Sequence, residues 1–215
     1  MIKVSVMRNY FLVAALLMSV HVFAQTSIDF SSDKATKIAK ANEKVSSFTS
    51  TFTQTKKMSF MDAPAVSEGT CSYVREGNKL CMKYTKPAGE LMLINGQSIT
   101  ISRGGKARTM SAKNNKANAL ANMLLSCTKG EFASLGASDL TYNETKTAFV
   151  YTMKVDIEVG KSNISKLELA YSKQDMTMVS LSMIEPDGSY TLYELSGKQL
   201  NAKIDDSVFV APKKK

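Results

Sequence analysis

GTCSYVREGNKLCMKYTKP, residues 69–87, is the stretch on which the fold turns. Gly77 and Asn78 at its centre tolerate the positive φ that a two-residue hairpin turn demands. With that turn, Glu76 stands opposite Lys79, Arg75 opposite Leu80, Tyr73 opposite Met82 and Cys71 opposite Tyr84. Because side chains alternate along a strand, one face carries Cys71, Tyr73, Arg75, Leu80, Met82 and Tyr84. The other carries Ser72, Val74, Cys81, Lys83 and Thr85. An arginine therefore shares the apolar face. A buried guanidinium without partners costs several kcal/mol, so its donors must be met. Either Arg75 snorkels to water from the strand end, or it bonds backbone carbonyls of a helix lying over that face. The strands alone leave both open.

The flanking sequence extends the same pattern. VSSFTSTFTQ, from Val45, alternates with Phe48 and Phe52 on one face, and DAPAVSEG beyond it is a loop. Upstream, SSDKATKIAKANEKV predicts a helix over about 33–45, capped by Ser32 or Asp33, with an apolar stripe at Ala35, Ile38, Ala39 and Val45. Downstream, ELMLI and QSITI flank Asn95-Gly96, a second hairpin signal. NNKANALANMLLSCTKG sets Leu120, Met123, Leu124 and Cys127 at helical spacing, ended by Gly130. The remainder reads as strands: DLTYNE, AFVYTMKVD, SKLELAYS, TMVSLSMIE, SYTLYEL and QLNAKI. The class is mainly β with helices (α+β): one antiparallel sheet of about ten strands, which must curl. Two apolar helices then lie on its concave face as a lid, over an interior expected to be a hinged contact rather than a solid fill. Cys71 and Cys81 point to opposite faces, which disfavours a disulfide between them.

Composition narrows the function. Residues 1–24 read as a cleaved signal peptide, with Lys3 and Arg8, the apolar run FLVAALLMSV, and Val22 and Ala24 before the cut. That leaves 25–215 as a single domain, exported and without a lipid anchor, since Gln25 follows the cut. The sole histidine, His21, lies in the signal peptide. Triads and imidazole-based zinc sites are thereby excluded. There is no phosphate-binding glycine loop, no CxxC spacing, no catalytic residue, no metal site and no cofactor to assign. The net charge of +9 falls to +7 without Lys3 and Arg8. No aromatic–basic ladder suggests nucleic acid. Ten of the 13 methionines remain once Met1, Met7 and Met18 are removed. Such side chains adapt to varied apolar guests, and ordinary packing explains them as well.

In their order, VSSFTSTFTQ, EGTCSYVREG, KLCMKYTKPAGELMLINGQSITI, EPDGSYTLYEL and KIDDSVFVAP resemble the periplasmic outer-membrane lipoprotein carrier protein family. Glu76, the absence of Trp and the terminal KKK depart from the family pattern. The resemblance implies an incomplete, strongly curved β-barrel closed by helices around an apolar cavity. It implies that Arg75 latches the lid. It also implies that Phe48, Phe52, Tyr73, Leu80, Met82, Tyr84, Met92, Leu120, Met123 and Leu124 line an acyl-chain cavity. The expected role is that of a soluble, monomeric periplasmic chaperone that is not an enzyme. It would receive lipoproteins by their acyl chains from an inner-membrane ABC transporter and deliver them to an outer-membrane acceptor. A carrier or sensor of the same fold, binding a glycolipid or another lipid, is the alternative.

Overall fold

Along Ser47–Lys57 the alternation of the sequence becomes geometry: Phe48 and Phe52 are buried on one face while Thr51 between them is exposed. The computed structural model describes residues 26–27, 33–96, 98–111, 115–136, 138–159 and 162–212. Residues 1–24, read above as a signal peptide, lie outside them, as do Ser32 and the terminal lysines. In chain order the elements are β1 (Thr26–Ser27), α1 (Asp33–Glu43), β2 (Ser47–Lys57), β3 (Ala65–Val74), β4 (Lys79–Lys86), β5 (Ala88–Asn95), β6 (Ser98–Arg103) and β7 (Lys106–Ser111). α2 (Asn115–Lys129), β8 (Ser138–Glu144), β9 (Ala148–Val159), β10 (Ser162–Ser172), β11 (Met178–Ile184) and β12 (Tyr190–Leu200) follow.

The strands form one antiparallel sheet in the order β1-β8-β9-β10-β11-β12-β2-β3-β4-β5-β6-β7. β7 is one edge, and β8 lies next to the other. α2 is the connection between them, so the chain crosses the open side of the sheet while leaving one edge for the other. It rests on β9 and touches β6, β7 and β11, with α1 packed beside it. The sheet is an incomplete β-barrel, and its concave apolar face is covered by a helical lid. Ile38 of α1, Met123 and Cys127 of α2, and Tyr151, Met153, Leu167 and Tyr171 of the sheet are all buried in that one core. The convex face is not wholly polar: Cys81 and Leu93 are covered there by Phe209 of the C-terminal segment. Asn95 holds this segment by donating to the Phe209 carbonyl at 3.1 Å.

Three local expectations are corrected. The β3–β4 loop has four residues, 75–78, because Val74 pairs with Lys79, Tyr73 with Leu80, Cys71 with Met82 and Gly69 with Tyr84. The backbone N–H of Arg75 donates to Ser46 O at 2.8 Å, which draws Arg75 toward the start of β2 and out of the β3–β4 ladder. Gly77 and Asn78 do adopt positive φ, 72° and 52°, but as the last two residues of the longer loop. The register differs by two residues, an even number, so every side chain keeps its expected face. Asn95 pairs with Ser98, so the next loop begins at Gly96 rather than Asn95. SYTLYEL and QLNAKI are not two strands. β12 runs from the one into the other, and its ladder to β2 skips from Ser196 to Gln199. Gly197, at φ 60°, makes a bulge rather than a chain reversal.

Gly69 shows how tightly the core face is built. It stands opposite Phe52. A Cβ at this position would meet the Lys83 carbonyl oxygen at 2.3 Å and the Phe52 ring at 2.6 Å. Only a residue without a side chain leaves room for Phe52 to meet Tyr84 edge-on, with ring centroids 5.0 Å apart. Gly69→Ala is expected to lower the unfolding free energy by about 1–3 kcal/mol, the usual cost of overpacking, measured by urea denaturation. An unchanged midpoint would show that β3 and Phe52 yield freely here.

Candidate functional site

Arg75 lies at the end of β3, where the concave face meets the last turn of α1. Its Nε donates to Val45 O at 3.1 Å and its Nη2 to Asn42 O at 2.7 Å. Asn42 O belongs to the last turn of α1, whose carbonyls have no i+4 partner within the helix, and Val45 O lies two residues past its end; the helix dipole favours a cation there. Arg75 Nη1 also lies 3.6 Å from Glu131, just beyond α2. The side chain keeps 27% exposure, so the charge is only partly removed from water.

The ends of both helices meet at this point. Gly130 N–H donates to Cys127 O and Glu131 N–H to Ser126 O, closing α2 with paired C-terminal bonds. Gly130 lies so close to α1 that a Cβ there would come 2.8 Å from Ile38. The buried Asn42 side chain donates to Ile38 O and to Met176 O, at 2.9 and 2.8 Å, and ties α1 to the β10–β11 turn. Tyr171 donates to Cys127 O at 2.7 Å, and Lys129 to Asn78 Oδ1 at 2.8 Å. At its other end, α1 is held by Lys34, bonded to Glu144 and to the Tyr142 hydroxyl.

The ten residues expected to line a cavity are all buried in one cluster. They do not all face empty space. Tyr84, Met92, Leu120 and Leu124 line a cavity of 190 Å³, together with Ile101, Ile164, Met183 and Tyr193. Phe48, Leu80, Met82 and Leu124 surround a void of only 20 Å³. Phe52, Tyr73 and Met123 line neither. The interior is therefore largely filled, unlike the loose contact expected from sequence. The larger cavity lies beneath the Leu120–Leu124 part of α2, and its mouth is polar: Gln54, Lys56, Glu90, Arg103, Glu185 and Thr191. Gln54 donates to the Tyr193 hydroxyl at 3.0 Å.

Burial disfavours the charged form of the interior's titratable groups. Burial pushes the Cys71 and Cys127 thiols and the Tyr73 hydroxyl each up to about 12. Tyr171 and Tyr193 are raised for the same reason. Burial brings Lys198 down to about 8. Its ammonium donates to Thr177 Oγ1 at 2.6 Å and to Met178 O at 2.5 Å, and lies 5.5 Å from the Phe48 ring. Thiols so far from ionisation are inert packing groups rather than nucleophiles.

Sequence reasoning missed Asn42, Glu131, Lys198 and the far cavity wall of Ile164 and Met183. Asn42 and Glu131 carry no pattern of their own. Lys198 becomes legible only when Gly197 is read as a bulge.

The family model for the outer membrane lipoprotein carrier protein LolA matches residues 43–212. Among solved structures the chain is similar to an uncharacterized conserved protein from Thermus thermophilus, at 10% identity and TM-score 0.52, over 83% of this chain and 94% of that one. It is similar to MucB at 14% identity and TM-score 0.51, over 85% of this chain and 62% of that one. A LolA superfamily protein from Nitrosomonas europaea aligns at 11% identity and TM-score 0.43, over 82% of this chain and 97% of that one. No curated protein matches the chain in sequence. The family match spans β2 to the C-terminal segment, and with it Arg75, α2 and the cavity: the chain belongs to the outer membrane lipoprotein carrier protein family.

Proposed function

We propose that this protein is a periplasmic chaperone that shields lipoprotein acyl chains beneath α2. It carries lipoproteins from an inner-membrane ABC transporter to an outer-membrane acceptor. The observation that carries this reading is an apolar interior with a cavity beneath α2, a helix whose Leu120 and Leu124 meet the sheet by apolar packing and whose C-terminal end is hydrogen-bonded. At roughly 0.8 kcal/mol per buried CH₂, an acyl chain will not cross water unshielded. No bond is made or broken; the work is burial and release. Residues 1–24 act as the export signal, and 25–215 as one carrier domain.

The cavity of 190 Å³ is smaller than the roughly 300–1,000 Å³ typical of a site for a drug-sized ligand. Loading therefore requires α2 to rise from the sheet, and Phe48, Phe52, Tyr73, Leu80, Met82 and Met123 become cavity wall as it does. Arg75 is the latch, because its bonds hold the end of α1 against β3 and its charge lies near the end of α2. Its loss favours the open lid. An open carrier offers acyl chains more apolar contact and holds them longer.

Lipoprotein or acyl chains co-purifying with the mature protein, identified by native mass spectrometry, test the cargo class. Recovery of a glycolipid instead would transfer the reading to another amphiphile. Arg75→Leu removes two charge-assisted bonds worth about 1.5–3 kcal/mol each and also the cost of desolvating the cation. Loading is expected to persist while transfer to outer-membrane acceptor slows about tenfold or more, a shift in closed-to-open balance of about 1.4 kcal/mol. Wild-type transfer rates in this variant would remove Arg75 from the mechanism. Ile101→Trp adds bulk inside the cavity and should weaken binding of a fluorescent acyl probe. Lys83→Trp, on the exposed convex face, should leave it unchanged. Equal losses at both positions would place the guest elsewhere.

A further inference from the structure

The segment MSFMDAPAV, Met58 to Val66, is the loop joining β2 to β3 with the first two residues of β3, and carries only Ser59 and Asp62 as polar residues. Phe60 is 82% exposed and Val66 51%, the two most exposed large apolar side chains among the described residues after Val210 is set aside with the C-terminal segment. An apolar tip held in water is a signal of contact with something else. This one is held there by structure. Met61 N–H donates to Met58 O at 3.0 Å, closing the turn that presents Phe60. Ser59 N–H donates to Ser189 Oγ at 2.9 Å, and Ser59 Oγ to Asp187 at 2.8 Å. Asp187 also accepts from Ser189 N–H at 2.9 Å, so the β11–β12 turn braces the loop.

The position of the loop joins it to the cavity. Lys56, four residues before Phe60, forms part of the cavity mouth and pairs across the sheet with Thr191, another mouth residue. Lys57 follows it, and Lys86 stands at the end of β4, paired with Glu68 of β3. Facing these cations are Asp62 in the loop, Glu68, and Glu90 and Glu185 at the mouth. Glu90 lies 3.6 Å from Arg103, and Asp187 is occupied by the serines. Positive and negative groups are nearly balanced, so the tip is distinguished by apolar area rather than by charge.

We propose that this loop is a wedge for the interfacial region of a phospholipid bilayer, seating Phe60 among the upper acyl carbons. A convex, braced tip with an aromatic side chain and adjoining lysines suits that region. Aromatic rings favour it, and lysine stems extend along apolar surface while their ammonium groups reach the phosphates. A bilayer also needs no complementary pocket to receive a projecting side chain. The wedge sets the cavity mouth against the surface in which an amphiphile resides, and in this respect it rests on the carrier reading above. Burial of one aromatic side chain gives weak, reversible attachment, consistent with a carrier that must leave.

The sequence contains no tryptophan, so Phe60→Trp provides a single fluorophore at the tip. On vesicles of phosphatidylcholine, its emission should shift to the blue and be quenched by brominated acyl chains. The mature wild-type protein should float with the same vesicles. Phe60→Ser should reduce flotation about tenfold while leaving the melting temperature unchanged, because the side chain packs against little. Phosphatidylglycerol should increase binding only modestly, given the balanced charge. Absence of a spectral shift on both vesicle types would overturn the wedge, as would a shift seen only with a protein partner or flotation of Phe60→Ser equal to wild type. Uptake of an acyl probe from solution separates the two ideas. Phe60→Ser protein that binds the probe but does not float supports both. Wild-type protein that floats but binds no probe keeps the wedge and overturns the carrier.

Discussion

A strongly curved sheet whose edges do not meet leaves its concave face bare, and the rest of this structure follows from covering it. Each strand twists with a fixed hand, so a twelve-stranded ladder cannot flatten to hide its apolar side against a single layer. β7 and β8 never pair, and α2 occupies the chain between them. The roof is thus the crossover itself, laid across the opening because no shorter route joins those strands. A helix in that position buries Leu120, Met123, Leu124 and Cys127 without sharing any of the sheet's backbone hydrogen bonds. From Leu120 to Leu125 it joins the core by apolar packing.

Those contacts explain why an arginine shares a face with Tyr73 and Leu80. The concave face at the tip of β3 is not fully apolar, since it lies beneath the C-terminal end of α1 and the residues that follow it. Arg75 donates to one carbonyl in the last turn, Asn42 O, and to one just past the helix, Val45 O; Asn42 meets the β10–β11 turn, and Tyr171 and Lys129 secure α2. Every one of these bonds falls near a helix C-terminus. Peptide carbonyls there are the one set of strong acceptors that the helices cannot satisfy themselves. Two of the bonds, to Asn42 O and to Cys127 O, use such carbonyls directly, while Lys34 ties the opposite end of α1 to the sheet through Glu144 and Tyr142.

Much of this is legible in the sequence. The period-two alternation in residues 69–87 places each side chain of β3 and β4 on its observed face, and the helical spacing from Leu120 to Cys127 gives the buried side of α2. The hairpin register is not legible, because Gly77 and Asn78 fit a two-residue turn as readily as the end of a four-residue loop. What decides between them is the bond from Arg75 N–H to Ser46 O, a contact that no local signal announces. The bulge at Gly197 escapes for a similar reason, since positive φ serves a turn and a bulge equally. The far wall of the cavity is out of reach because Ile164 and Met183 face Met92 and Leu120 only after the whole sheet has curled.

The two ends of the interior are built differently, and the difference bears on how it could open. Near Arg75 the interactions are directional hydrogen bonds, reinforced by Asn42 and by a glycine that brings the helices close. Beneath Leu120 and Leu124 they are dispersive, and the 190 Å³ of space already lies there beside a polar mouth. When a helix lifts, the methylenes of a guest cover the apolar surface it leaves behind, so that cost is recovered on loading. Broken hydrogen bonds to carbonyls have no such replacement in an acyl chain. For the proposed carrier, an apolar guest would displace α2 at the mouth with little net cost, while the bonded end would resist. In the carrier proposed above, this asymmetry would make the mouth the place of entry and the Arg75 junction the place where retention is set.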